Sequence, residues 1–363
     1  MSAVEIKALI VDDSVVYRSQ IRSALEALSN VRIVGTAANG LLALKQMEQQ
    51  KPDLVILDLE MPEMDGLTTL REIRKNNQQA KVLVFSSLSR RGAEITLDAL
   101  RFGASDFVTK PGSEITLKED AATSVLTPIE KIKALLKEKI EALFKVEDSE
   151  KKISLKDSAS IDRIPTFPPL IWDLFKPSII VIGSSTGGPS LLEKIFSQIK
   201  KDISVPILVT QHMPPVFTAT LAERIQALSG ISTHEAAQGM KIENGHIYIA
   251  KGDYHLRIQK KDHGLYCQLD QDQQVHSVRP AVDHLFTTAA ELFPKQCLGF
   301  VLTGMGYDGR DGAIQIKKSG GAMAIQSEET CTVFGMPGAV KSVGAYDRIF
   351  SPDEIIKTIN EKA

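Results

Sequence analysis

The sequence predicts an α/β fold in two domains, each built on a mostly parallel sheet wound with helices. Three observations predict it. The chain has 363 residues, and one domain usually holds roughly 150. Short runs of branched apolar residues alternate with helix-period segments along most of the length. The polar residues suited to chemistry stand directly after those runs, beyond the carboxyl ends of the predicted strands, where such sheets place their sites.

The first domain is read over residues 1–125. A strand at Lys7 to Val11 ends in Asp12-Asp13-Ser14, and a helix follows with Val15, Val16, Ile21, Leu25 and Leu28 as its apolar positions. Val31 to Thr36 is a second strand, and Gly40 to Gln49 a helix. Asp53 to Leu57 is a third strand running into Asp58, with a turn through Asp65-Gly66 and a helix to Ile73. Lys81 to Phe85 ends at Ser86-Ser87, a helix covers Glu94 to Phe102, and Asp106 to Thr109 ends at Lys110-Pro111. This alternation predicts a doubly wound parallel sheet. Asp12, Asp13 and Asp58 then converge, and three such carboxylates repel unless a divalent cation sits among them. Hard oxygen donors suit Mg²⁺. Ser86 and Lys110 can hold an anion beside that cation, so the arrangement supports an aspartate that accepts a phosphoryl group. The alternative is a set of solvated strand-end acids.

Residues 126–176 are read as an amphipathic helix followed by an interdomain linker. Thr127-Pro128-Ile129-Glu130 is a capping-box start with Pro at the first helical position. Ile129, Ile132, Leu135, Leu136, Ile140, Leu143 and Phe144 mark one face, which is expected to pack on one domain or the other. From Val146 to Arg163 the composition turns to Asp, Glu, Lys and Ser, as in a flexible linker. Thr166 to Phe175 is apolar again and holds the only Trp, so it is expected to dock on a domain surface, with a partner-binding segment as the sharper reading.

The second domain is read over residues 177–363, and its first strand and turn organise the rest. Ile179 to Ser190 reads IIVIGSSTGGPS: an apolar strand, a tight turn, then Pro189 opening a helix. Gly183-Ser184-Ser185-Thr186-Gly187 fits G-x-S-x-G, the pattern of a nucleophile elbow that lifts the Ser185 hydroxyl off the strand end. Alone, the same turn also fits an anion-binding loop. Val205 to Thr210 is a strand ending at Gln211-His212. A helix at Thr218 to Leu228 and a β-rich insertion follow, in which His246 to Ala250 and His255 to Gln259 alternate and are expected to pair as an antiparallel hairpin, with Tyr266 to Leu269 as a third strand. Leu298 to Leu302 is a buried strand running to Asp308, Ala322 to Gln326 another, and Ser351 to Asn360 a closing helix.

Three strand ends therefore carry Ser185, His212 and Asp308. A serine hydroxyl is a weak nucleophile and needs a base. An imidazole near neutral pKa takes and returns its proton. A buried carboxylate fixes the imidazole tautomer. Together they favour the nucleophile reading of the elbow. Asp283 is the rival acid, but it stands at a helix start, where an acid also favours the dipole.

The segments VDDS, DLEMPEMDG, FSS and DFVTKP resemble a response-regulator receiver, a doubly wound, flavodoxin-like domain. Over nearly the whole chain, GSSTGG, TQHMPP, RPAVDHLF, LTGMGYDG and CTVFGMPG add a resemblance to the chemotaxis protein-glutamate methylesterase (CheB) family. The resemblance implies Asp58 as phosphoacceptor, Asp12, Asp13 and Asp58 as Mg²⁺ ligands, Ser86 and Lys110 as phosphoryl contacts, and Phe107 as the aromatic switch residue. It implies Ser185 as nucleophile, His212 as base and Asp308 as orienting acid, with Thr186 and Met305 at the oxyanion site. No cofactor is implied for the ester chemistry itself. The implied substrates are methyl-accepting chemotaxis receptors, demethylated at glutamyl esters and deamidated at glutamines. A chemotaxis histidine kinase is the implied phosphodonor, with the unphosphorylated receiver covering the active site. Ser184 stands where the family usually has Ala, and Tyr307 where it has a small or polar residue.

Composition bounds the remaining classes. A formal net charge of −2 and no long basic run point away from nucleic acid. No apolar run approaches the ~18 residues of a membrane span, and the first residues do not read as a signal peptide. Three widely spaced cysteines, an odd number without C-x-x-C, fit a reduced, cytoplasmic protein. The seven histidines show no zinc-type spacing. The expectation is a phosphorylation-activated serine esterase, and the alternative from another class is a signalling adaptor with an inert catalytic domain.

Overall fold

The computed structural model describes residues 5–76, 79–111, 127–144 and 166–363. The chain forms two compact units, Met1–Lys152 and Ile153–Ala363. The charged stretch from Val146 to Arg163, read above as a flexible linker, lies outside the described residues.

The first unit runs β1 (Ile6–Val11), α1 (Val15–Glu26), β2 (Val31–Ala37), α2 (Gly40–Gln50), β3 (Leu54–Asp58), α3 (Gly66–Lys75), β4 (Lys81–Ser86), α4 (Arg90–Arg101), β5 (Asp106–Thr109) and α5 (Pro128–Phe144). Its five strands are parallel in the order β2-β1-β3-β4-β5. The central strands LVILD and KVLVFS are covered on both faces and are apolar almost throughout for that reason. Ser14, Asn39, Asp65 and Ser89 each accept a backbone N–H in the first turn of the helix they precede, so the strand-to-helix turns are fixed by caps. The order reverses between β1 and β3, and there the strand-end acids meet. On α5, Ile132, Leu136, Ile140 and Leu143 are buried and the helix lies against α1. Those four residues of the expected face therefore pack within the first unit, while Ile129 and Leu135 stay exposed.

The second unit runs β6 (Ile179–Ser184), α6 (Gly188–Phe196), β7 (Ile207–Gln211), α7 (Phe217–Ser229), β8 (Thr233–Glu235), β9 (Lys241–Ile242), β10 (Ile247–Ile249), β11 (His255–Lys261), β12 (Gly264–Asp270), α8 (Val282–Leu292), β13 (Cys297–Val301), α9 (Arg310–Lys318), β14 (Ala322–Gln326), α10 (Gly335–Ser342), β15 (Arg348–Phe350) and α11 (Pro352–Lys362). Seven strands form a parallel sheet ordered β15-β14-β13-β6-β7-β10-β8, and three form an antiparallel one ordered β11-β12-β9. β6 sits in the middle, flanked by β13 and β7, so residues beyond those three strands share one sheet edge.

One expected pairing is corrected. β10 and β11 do not form a hairpin. All three β10 residues are buried, and the strand lies between β7 and β8 in the parallel sheet. The antiparallel partner of β11 is β12. A three-residue strand buried on both faces carries no alternation to distinguish it from a hairpin arm.

The apolar segment before β6 is docked on its own unit. Trp172 stands edge-on to Phe350 with ring centroids 5.4 Å apart, and Lys362 Nζ donates to the carbonyls of Trp172 and Phe175 at 2.9 and 3.1 Å. Ile171 and Leu174 stay exposed. All three cysteines are free. Among the described residues, no helix is long and apolar enough to cross a membrane.

Candidate active site

At the carboxyl edge of the first sheet, one carboxylate oxygen each of Asp12, Asp13 and Asp58 lies within 4.8 Å of the others. Asp12 and Asp58 are buried and Asp13 is exposed. Lys110 Nζ stands 2.9 Å from Asp58 Oδ2 and 3.2 Å from Asp12 Oδ2. Burial pushes the Asp58 carboxyl up to about 6, against the opposing pull of the Lys110 hydrogen bond and charge. Burial likewise raises Asp12, again partly offset by Lys110. For Lys110, burial alone would lower the pKa, but Asp58 and Asp12 outweigh it and the ammonium is held above its usual range. The buried Asp12 Oδ2 accepts no aligned hydrogen bond. A buried carboxylate oxygen left in that state, beside two further carboxylates, fits a hard divalent cation. Ser86 sits at the end of β4, but its hydroxyl accepts from Thr96 Oγ1 at 2.7 Å rather than meeting Asp58. Phe107 is buried on β5.

The second sheet carries the other set. Ser184 pairs with Gln211 in the β6–β7 register. Directly beyond that pair, the His212 N–H donates to Ser184 O at 3.1 Å, which places Ser185 and His212 side by side. On the β13 side, the Ser185 N–H donates to Thr303 O at 3.0 Å. Gly188 N closes the turn on Ser185 O at 2.8 Å, with Gly187 at φ 80°, a left-handed position that a side chain would strain. The Gly304 backbone passes so close that a Cβ there would lie 2.8 Å from Ser185 Cβ. The Met305 N–H, next along, donates to no acceptor among the described residues. Ser185 and Thr186 are 8% and 1% exposed, so the elbow is sheltered with the serine at its rim.

His212 Nε2 and Asp308 Oδ2 are 2.8 Å apart. Asp308 is 2% exposed and accepts the N–H groups of Val282, Asp283 and Gly309 at 2.6, 3.0 and 2.9 Å. Burial works to raise its pKa, but the His212 hydrogen bond and charge and the backbone donors win, and the carboxyl is held below the ordinary range. Asp308 is therefore a fixed, ionised partner for the imidazole. Among the described residues no hydrogen bond joins Ser185 Oγ to His212.

Two neighbours were not singled out from sequence. Gln211 is 1% exposed; its Nε2 donates to the carbonyls of Ser185 and His212 at 3.0 and 3.2 Å, and its Oε1 accepts from Ser184 Oγ at 2.6 Å. One carboxamide thus clamps the elbow to the His212 strand, and Ser184 supplies a contact that Ala lacks. The signal was a polar residue at the last position of a buried strand. His276 is the second: it lies 3.2 Å from Asp283 and against the Tyr307 ring, centroids 4.2 Å apart.

The other histidines lie apart. His234 and His246 meet each other at 3.2 Å. His255 is buried between Gln273 O and the Ala281 N–H. His284, in the first turn of α8, is half-buried against the His255 ring at 4.3 Å, and burial with the neighbouring charge of His255 pushes its pKa down to about 4.

Comparison with known proteins places both halves. The response regulator receiver domain model matches residues 8–122 and the CheB methylesterase model residues 180–359. A protein-glutamate methylesterase/protein-glutamine glutaminase of Trichodesmium erythraeum is 39% identical, over 97% of both chains. One of Thermotoga maritima with the same name is 35% identical over 98% of both. The crystal structure of the Thermotoga maritima CheB methylesterase catalytic domain is 40% identical and covers 52% of this chain and 99% of that one, with a TM-score of 0.50.

Proposed function

The chain belongs to the CheB methylesterase family and carries a receiver domain ahead of the catalytic one, and from that premise we propose that it hydrolyses glutamyl methyl esters, and deamidates glutamines, on methyl-accepting chemotaxis receptors. The observation that supports this reading best is the Ser185 elbow beside a His212–Asp308 pair at 2.8 Å. Ser185 Oγ attacks the ester carbonyl carbon. The imidazole takes its proton at Nδ1, because Nε2 is held by Asp308. The oxyanion that forms is met by main-chain N–H groups at Thr186 and Met305. The imidazolium returns the proton to the leaving oxygen and methanol departs, leaving the acyl group on Ser185. Water, activated by the same imidazole, then attacks the acyl carbon, releasing a glutamyl carboxylate and restoring the serine. With a glutamine substrate the leaving group is ammonia.

The first unit is the control element in this reading. Asp58 accepts a phosphoryl group from a chemotaxis histidine kinase, and Asp12, Asp13 and Asp58 would hold Mg²⁺. Bound there, the cation would neutralise carboxylate and phosphoryl charge. Lys110 contacts the phosphoryl group as an ammonium, Ser86 supplies a hydroxyl once it leaves Thr96, and Phe107 follows the change. Phosphorylation raises esterase activity because a new charge at the strand ends biases a two-state element. The setting is the cytoplasm, where three unpaired cysteines stay reduced.

The test is covalent labelling of the full chain with a fluorophosphonate probe. Labelling at Ser185, lost in Ser185→Ala and increased by a small phosphodonor with Mg²⁺ unless Asp58→Ala is present, is expected. Absence of labelling would favour an adaptor with an inert catalytic domain.

A further inference from the structure

Behind the His212–Asp308 pair lies a second histidine–aspartate pair that the reaction as described does not use. Asp283 opens α8 and its side chain is 13% exposed. Its Oδ1 accepts the N–H groups of Gly309 and Gly312 at 3.0 and 2.6 Å, and its own N–H donates to Asp308 Oδ1 at 3.0 Å. The Gly309 N–H also reaches Asp308 Oδ1, at 2.9 Å. One amide is therefore shared by two carboxylates, which sets them side by side. Gly309, at φ 90°, is the N-cap of α9 and has no side chain to cap it, so Asp283 supplies the cap from α8. Asp283 Oδ2 faces His276 Nε2 at 3.2 Å.

We propose that the His276–Asp283 pair is a positioning element for the esterase triad: it holds Asp308 from behind, and the Asp283 carboxyl, by keeping or releasing its proton, sets the charge against which His212 works.

The inference rests on Ser185, His212 and Asp308 acting as the triad. Two adjacent buried carboxylates cannot both ionise at neutral pH without strong repulsion. Asp308 keeps the charge because it meets the imidazole and the N–H groups of Val282 and Asp283. Asp283 carries the proton: burial first, then the Asp308 charge, raise it to about 8. The Gly312 N–H and the Arg310 guanidinium pull the other way and favour the ionised form, but they are outweighed. From α9, Asp311 adds further repulsion and is itself paired with Arg310 at 2.8 Å. From the loop before α9 come Asp308 and Tyr307, and from the segment before α8 comes His276. On β11, Arg257 and His255 are turned to Asp270 and His284 instead. When Asp283 ionises, a second negative charge stands behind Asp308, and the imidazolium formed in the transition state is stabilised.

Asp283→Asn is the informative variant, because an amide still caps α9 through its oxygen but cannot ionise. Methanol release measured across pH on the full chain is expected to show an added rise in kcat/KM near pH 8 in the wild type. Asp283→Asn should lack that step, and Asp283→Ala, which loses the cap as well, should lower kcat by about 10- to 100-fold with KM little changed. A wild type without the step, or an Asn variant with it, would overturn the proposal, since a purely structural cap predicts identical profiles. Infrared titration of the inactive Ser185→Ala protein gives a readout independent of turnover. The carbonyl stretch of a protonated carboxylic acid should be present at neutral pH and vanish when Asp283→Asn is added. If it does not vanish, the proton is not on Asp283. If it vanishes while Ser185→Ala retains wild-type esterase activity, the triad assignment has failed and the carboxylate pair stands.

Discussion

The His212 N–H donates to Ser184 O at 3.1 Å, so the parallel register of β6 and β7 continues one residue past the sheet. That single hydrogen bond sets Ser185 beside His212. Their neighbourhood is a property of the strands, and rigid elements hold such constellations better than loops do.

The Asp308 carboxylate meets His212 Nε2 at 2.8 Å and three backbone N–H groups. Asp308→Asn keeps the shape but removes the charge and lets the amide offer a donor to Nε2, which favours the wrong tautomer. Esterase kcat is expected to fall by about 10²–10⁴-fold with the fold intact. Methanol release and circular dichroism on the same sample check both halves, and a loss under threefold would contradict the role.

Asp58 is raised from 3.8 to about 6 by burial. A group raised in this way favours folding in its neutral form. Its contribution is present below the unfolded pKa and is lost as pH rises through about 6. At pH 7.5 the ionised carboxylate is therefore a cost, and Asp58→Asn should stabilise the first unit by ~1–3 kcal/mol there and by little at pH 4. Mg²⁺ should stabilise the wild type more than the variant. Denaturant melts at the two pH values, with and without the cation, check this; equal stability at pH 7.5 would contradict it.

Gly304 tests the packing behind Ser185. A Cβ there would stand 2.8 Å from Ser185 Cβ and 2.3 Å from Met336 Sδ. Met336 can shift, but Ser185 cannot move without leaving His212. Gly304→Ala should lower fluorophosphonate labelling of Ser185 by about tenfold or more, while destabilising the protein by ~1–3 kcal/mol. Labelling at the wild-type rate would show that the elbow has room to spare.

The places of Ser185 and Asp58 were legible in the sequence because each stands at the end of a strand that announces itself. The run IIVIG and the run LVILD are apolar on both faces, so Ser185 and Asp58 had to fall at the carboxyl edge. What was not legible depends on pairing between distant segments. The residues Ile247–Ile249 look the same in a hairpin as between β7 and β8. Asp283 stood at a helix start, where an acid is explained by the helix itself. Its service as the cap of α9 exists only once α8 and α9 are packed. Gln211 showed as a polar strand end, but its three partners come from the turn and the neighbouring strand.

The central claim is that Ser185 carries the ester chemistry. The most direct measurement is methanol release from a methylated chemotaxis receptor by the wild type and by Ser185→Ala, both full-length and both activated with a small phosphodonor and Mg²⁺. A loss of at least about 10³-fold in Ser185→Ala is expected. Equal rates of methanol release from the two proteins would contradict it.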